Sequence, residues 1–150
     1  DVSCHVAEGL VQASLRGIDS HGIRLLPHYL KGVEGGRINK NPCFMFNKTS
    51  ASTGKLDGDH TFGHAAGVEG MNKAIEMATE AGTGHVAVYN SSHFGAAAFF
   101  CPLSGKARHD RNVLYKCYSS CFDNREQSGV LRQQSCLFCG ALRWGGTLLS

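Results

Sequence analysis

An α/β fold is predicted for this chain, and three observations predict it. Val68, Met71, Ile75 and Ala78 recur at helical spacing after Gly63-His64-Ala65-Ala66-Gly67, with Glu76 and Glu80 on the wet side. Gly82 supplies the stop. His85 to Asn90, built on Val86, Ala87 and Val88, reads as a buried strand. Helix, glycine stop and strand make the rhythm of an α/β layer. The turn Ser91 to Gly95 comes next, and turns at strand ends are where open α/β sheets hold ligands.

The remaining elements follow from the same periodicities. Val2, Val6, Leu10 and Ala13, with Val11 and Leu15 beside them, predict a helix over 1–16 that stops at Gly17. Asp19 or Ser20 can then cap a second helix running to about Gly32, and Pro27, tolerated in a first turn, agrees with a start near Gly22 to Leu26. Ile23, Leu26, Leu30 and Val33 give that helix an apolar stripe, and Gly35-Gly36 ends it. Residues 37–52 read as irregular, with Asn-Lys-Asn-Pro as turn chemistry. Thr53 to Asp59 is a short strand or turn, and Ala96 to Phe100 opens a further apolar helix.

Composition narrows the function. The 150 residues suit one domain or a piece of one, and 42% apolar content is enough for a core without disulfides. A formal charge of +3 with no basic helix face argues against nucleic acid. No stretch reaches the roughly 18 to 20 apolar residues of a membrane span. Seven cysteines are an odd count, which argues against a closed disulfide framework. Only Cys4 and Cys43 precede residue 100, and a reducing, cytoplasmic setting is expected for the first part. The chain opens inside an apparent helix with neither an initiator Met nor a signal-peptide pattern, so it is expected to start part-way into a longer protein.

The chemistry concentrates in two stretches. Asp19-Ser20-His21-Gly22-Ile23-Arg24 sets an imidazole among an acid, a hydroxyl and a cation. An imidazole can give or take a proton near neutrality, so His21 can exchange one at a carbonyl or alcohol. Asp19 or Ser20 is placed to orient it, Arg24 to hold a substrate carboxylate, and Tyr29 to line the same pocket. The plainer reading makes His21 a surface residue near a helix cap. His93 lies in the glycine-containing turn after the buried strand, where it either reacts or fixes the turn. The expectation is that the two histidines meet in one active site. His64 is read as structural, and His5, His28, His60, His85 and His109 as incidental. No Gly-x-Gly-x-x-Gly loop or Gly-x-Ser-x-Gly elbow is present. Cys117, Cys121, Cys136 and Cys139 have spacing compatible with a four-thiolate zinc site, which makes a zinc-binding or interaction module the rival function.

With these residues in view, the first hundred resemble the type-2 malate/L-lactate dehydrogenases, a family that includes ureidoglycolate, sulfolactate and diketogulonate-type enzymes. The matching blocks are LRGIDSHGIRLLPHYL, EGGRIN, LDGDHTFGHAAGVEGMNKAIEMA and AVYNSSHFGAAAFF, in family order. The resemblance implies a three-layer, non-Rossmann fold around a mixed sheet, of which this chain holds the N-terminal part. It further implies NAD or NADP as cofactor, a small 2-hydroxy or 2-keto acid as substrate, and a homodimer. His21 matches the family's acid/base histidine in its Ser-His-Gly block, with Ser20 and Tyr29 on the substrate side. His93 matches the histidine of the Asn-x-x-His-Phe-Gly block. Many members carry the substrate arginine four residues after the first histidine; here that place is Leu25, and Arg24 stands one earlier.

Residues 101–150 change character. They contain no Ile and no Met, and the resemblance stops. Read from the second base of each codon, CPLSGKARHDRNVLYKCYSS can encode ALSAARHDMIGMSYTNATP, and GVLRQQSCLFCGALRWGG can encode GYFGNNPVCFVAPYGG. Both translations carry blocks that the family has next. The chain is therefore expected to divide into a dehydrogenase-like part, 1–100, and a frameshifted, poorly ordered tail, 101–150.

Overall fold

The computed structural model describes residues 1–100, and beyond them the backbone of three strands at 112–115, 118–123 and 133–144. Helix α1 spans Val2–Leu15, and the Asp1 carboxylate caps it by accepting the Ser3 N–H at 3.1 Å. It buries Val6, Leu10 and Ala13, whereas Val11 and Leu15 lie exposed rather than beside that face.

The second helix departs from expectation. Neither Asp19 nor Ser20 caps it. The chain instead makes two 3₁₀ turns, Asp19–His21 and Ile23–Leu25, and α2 spans only Leu26–Glu34. The cause is local: Gly22 is extended between the turns, and the Ile23 N–H goes to Ser14 Oγ at 3.0 Å instead of into a helix. Pro27 then sits where a missing N–H costs nothing. The predicted stripe is also corrected, because Ile23, Leu26 and Leu30 are exposed and Tyr29 is the buried anchor. The exposed residues line an apolar groove of about 520 Å³ between α1 and α2.

Residues 37–52 are not wholly irregular. Met45–Lys48 forms β1, antiparallel to β2 at Thr53–Asp57. Helix α3, Gly63–Ala81, ends at Gly82 with φ of 82°. Strand β3, Thr83–Ser91, then runs parallel to β2. It buries Gly84, Val86 and Val88 while His85 and Tyr89 stay exposed, so its burial alternates along the strand instead of being continuous. Within the described residues, Ala97–Phe99 forms only a 3₁₀ turn where a helix is predicted to begin.

Strands β4 (Asn112–Tyr115), β5 (Tyr118–Asp123) and β6 (Gln133–Trp144) complete a mixed sheet of order β1-β2-β3-β6-β4, with β5 also paired to β6. Three layers result: the α1/α2 pair, α3, and the sheet. Two cores fill the gaps between them. Leu56, Met71, Ala74, Val86, Val88 and Phe100 pack α3 on the sheet. Val6, Leu10, Tyr29, Ile38 and Phe62 bind the outer helices to the loop before α3. Close approach is built in at Gly84, where an added Cβ would lie 2.1 Å from the Ala74 carbonyl oxygen. No helix among the described residues is long and apolar enough to cross a membrane.

Candidate active site

The site forms where the two cores meet, at the C-terminal end of β3. A ladder of bonds ties the turn after β3 to the loop after β2. Gly58 N–H donates to Tyr89 O at 2.9 Å, His60 N–H to Asn90 O at 2.7 Å, and Ser92 N–H to Thr61 O at 2.8 Å. Asp59, His60 and Asn90 accept positive φ to make these bonds. Side chains lock the loop as well. Asp59 Oδ2 accepts from Asn39 Nδ2 at 2.8 Å and from Cys43 N–H at 2.9 Å. His93 therefore projects from a turn fixed on both sides.

The helical layer brings the other half. Arg16 at the end of α1 donates to Ala98 O at 2.7 Å, which ties the helical layer to the segment after His93. The His21 and His93 rings stack with centroids 5.4 Å apart, so the two predicted histidines do meet. Ser20 Oγ lies 2.9 Å from His21 Nδ1, and the Tyr29 hydroxyl lies 2.8 Å from His93 Nδ1. Each imidazole thus has one nitrogen engaged by a hydroxyl. Arg24 is exposed on the second 3₁₀ turn, and no described contact brings it to either imidazole.

Electrostatics separates these groups. Burial pushes the Tyr29 phenol up to about 12, so it stays protonated. His93 keeps an open face to solvent, yet its pKa is held below the ordinary value, first by the protein packed on its other side and then by His21 and His28. A depressed imidazole is neutral at physiological pH and available for hydrogen bonding or proton uptake.

Reading the sequence missed the weight of His64. It is fully buried beneath the site, with its ring edge-on to Tyr29 at 5.8 Å and to Phe99 at 5.9 Å. Gly9 and Gly95 clamp it; an added Cβ at either would come within 2.3 Å of the ring, and Gly95 also has φ of 72°. Among the described residues neither ring nitrogen has a partner, and desolvation first, then His93 and His5, lower its pKa to about 4. The packing role read from the sequence is what the contacts show, but at a seam whose polar cost the sequence did not reveal. Ser92 Oγ, next to His93, is likewise buried without a partner among the described residues.

No group of three or more His, Cys, Asp or Glu among the described residues is arranged to hold a metal. Cys117 and the side chains of Cys121, Cys136 and Cys139 lie outside the described residues. Among the described residues, the donors at the site are two imidazoles and a phenol, which suit the reacting end of a redox step at carbon–oxygen.

Fold and site together define an α/β protein with two stacked imidazoles beside a buried phenol at a strand end. The family model of malate/L-lactate dehydrogenase matches residues 1–106, and the chain belongs to that family. It is 41% identical over 101 residues to a malate dehydrogenase of Pyrococcus abyssi, covering 67% of this chain and 28% of the relative. It is 35% identical over 99 residues to an L-sulfolactate dehydrogenase of Methanothermobacter thermautotrophicus, covering 66% and 29%. Among solved structures, malate dehydrogenase from Entamoeba histolytica superposes with a TM-score of 0.71 at 34% identity, covering 79% of this chain and 32% of that one. The chain thus spans less than a third of the length of these relatives.

Proposed function

We propose that this chain carries the proton-exchange site of an oxidoreductase that moves a hydride between NAD or NADP and a small 2-hydroxy acid of the malate, lactate or sulfolactate type. We further propose a cytoplasmic homodimer as its working form. The observation that carries the reading is the His21–His93 stack, backed by Tyr29. The nicotinamide, when bound, supplies or takes the hydride at C2 of the substrate. The described residues offer groups for that reacting end and no glycine-rich phosphate cradle, so cofactor contacts are not assigned.

His21 and His93 serve the C2 oxygen. One imidazole exchanges its proton while the other binds it, and the sequence block around His21 makes that residue the first choice for exchange. Ser20 orients His21 through Nδ1. Arg24, exposed on the second 3₁₀ turn, is the candidate partner for the substrate carboxylate. The zinc-module alternative draws no support from the described residues.

Residues 101–150 are, in this reading, out of frame, and the chain as written has little or no turnover. The test is direct. The coding sequence should read through the second frame without stop codons across this region. The frame-restored protein should then oxidise malate, lactate or sulfolactate with NAD⁺ or NADP⁺, followed by nicotinamide absorbance. In it, H21Q and H93Q should each lower kcat/KM by about 10² or more. Undiminished turnover in both variants refutes the assignment.

A further inference from the structure

Tyr29 is 2% exposed and packs in the outer core against Phe62, ring edge to ring at 5.4 Å. Its hydroxyl reaches His93 Nδ1 at 2.8 Å, across 64 residues of sequence. Among the described residues, no other hydrogen-bond partner of that hydroxyl is seen. A hydroxyl has one hydrogen. If it accepted from an Nδ1–H, its own hydrogen would point into an apolar core with nothing to receive it. Donation to a bare Nδ1 satisfies both groups. The His93 ring stacks on His21 with centroids 5.4 Å apart and 29° between planes, and lies near-parallel to Phe94 at 6.2 Å and 24°. A flip of the ring would put a carbon opposite the Tyr29 hydroxyl in place of Nδ1 and lose that bond. Nε2, across the ring from Nδ1, is turned away from Tyr29, on a residue that is itself exposed.

We propose that Tyr29 is a positioning residue that donates to His93 Nδ1, dedicates Nε2 to the ligand, and holds the neutral ring in its Nε2–H tautomer. The resting site then meets its ligand as a hydrogen-bond donor. Resting on the dehydrogenase reading, the ligand atom is the C2 carbonyl oxygen of a 2-keto acid, which only accepts. A 2-hydroxy acid is also received as an acceptor at this nitrogen, so removal of its proton falls to His21 unless the Tyr29 O–H first reverses.

The tautomer is measurable without turnover. The 150-residue chain is labelled with ¹⁵N-histidine, and the His93 ring signals are assigned by their loss in H93Q. Above the His93 titration, Nδ1 should show the shift of a bare, hydrogen-bonded nitrogen and Nε2 that of an N–H. In Y29F the two shifts should move toward each other as both tautomers become populated. The reverse pattern in the native chain overturns the proposal, as does an unchanged pattern in a folded Y29F. Should Y29F not fold, the native spectrum alone decides. The expected spectrum in a protein with no dehydrogenase turnover keeps the Tyr29 assignment and removes only the keto-acid ligand. Turnover with the reversed tautomer removes the assignment and leaves the dehydrogenase reading intact.

Discussion

Acid should loosen this protein through His64. The folded ring holds its pKa near 4 because burial strips it of water and neither nitrogen has a partner, while the unfolded ring titrates at 6.5. Between those values the unfolded chain binds a proton that the folded chain refuses. Stability is therefore intact above 6.5 and falls as pH drops through this window, levelling where both forms are protonated. At about 1.4 kcal/mol per unit, a fall from 6.5 to about 4 amounts to about 3 kcal/mol. For a domain this size that is a large share of the total. Urea unfolding followed by circular dichroism across the window measures it. The same series on H64F isolates the residue, because a phenyl ring keeps the edge-on contacts with Tyr29 and Phe99 and cannot charge. Its acid slope should be much shallower, with a remainder from His93 and His5, whose pKa values are also depressed. A folded H64F with the native slope would refute the reasoning.

Two further substitutions test the packing and the surface. G84A puts a methyl against the Ala74 carbonyl and should lower stability by about 2 kcal/mol or more, read as a drop in Tm. K73A removes the 2.9 Å pair with Glu76 on the outside of α3, where the partner is largely solvated; its cost should stay below about 0.5 kcal/mol by the same measurement.

Much of the frame was legible because it rests on strong periodicity. The α3 face, the Gly82 stop and β3 all follow from long apolar repeats. Strand β1 was not legible because Met45–Lys48 is short and mostly exposed, and becomes a strand only by pairing with β2. The start of α2 at Leu26 falls within the range that Pro27 indicates, but its cap was misread because the Ser14 hydroxyl, nine residues upstream, captures the Ile23 N–H, and no local pattern announces a capture at that distance. His21 and His93 were singled out from their flanking residues, and the structure brings their rings together. Tyr29 and His64 were not given their full weight, since burial and contact with His93 arise from the docking of α2 and α3, which spacing does not encode.

The split into two hydrophobic nuclei has a consequence for how the pocket comes into being. His93 follows β2-α3-β3, a crossover closed within about forty residues. His21 and Tyr29 ride on the outer helices, which have a nucleus of their own. Neither piece holds both imidazoles by itself, and Phe62 beside α3 joins the second nucleus to the crossover. The imidazole stack is thus a seal that closes only on mating of the halves, and its ring-current signature would time that event during refolding.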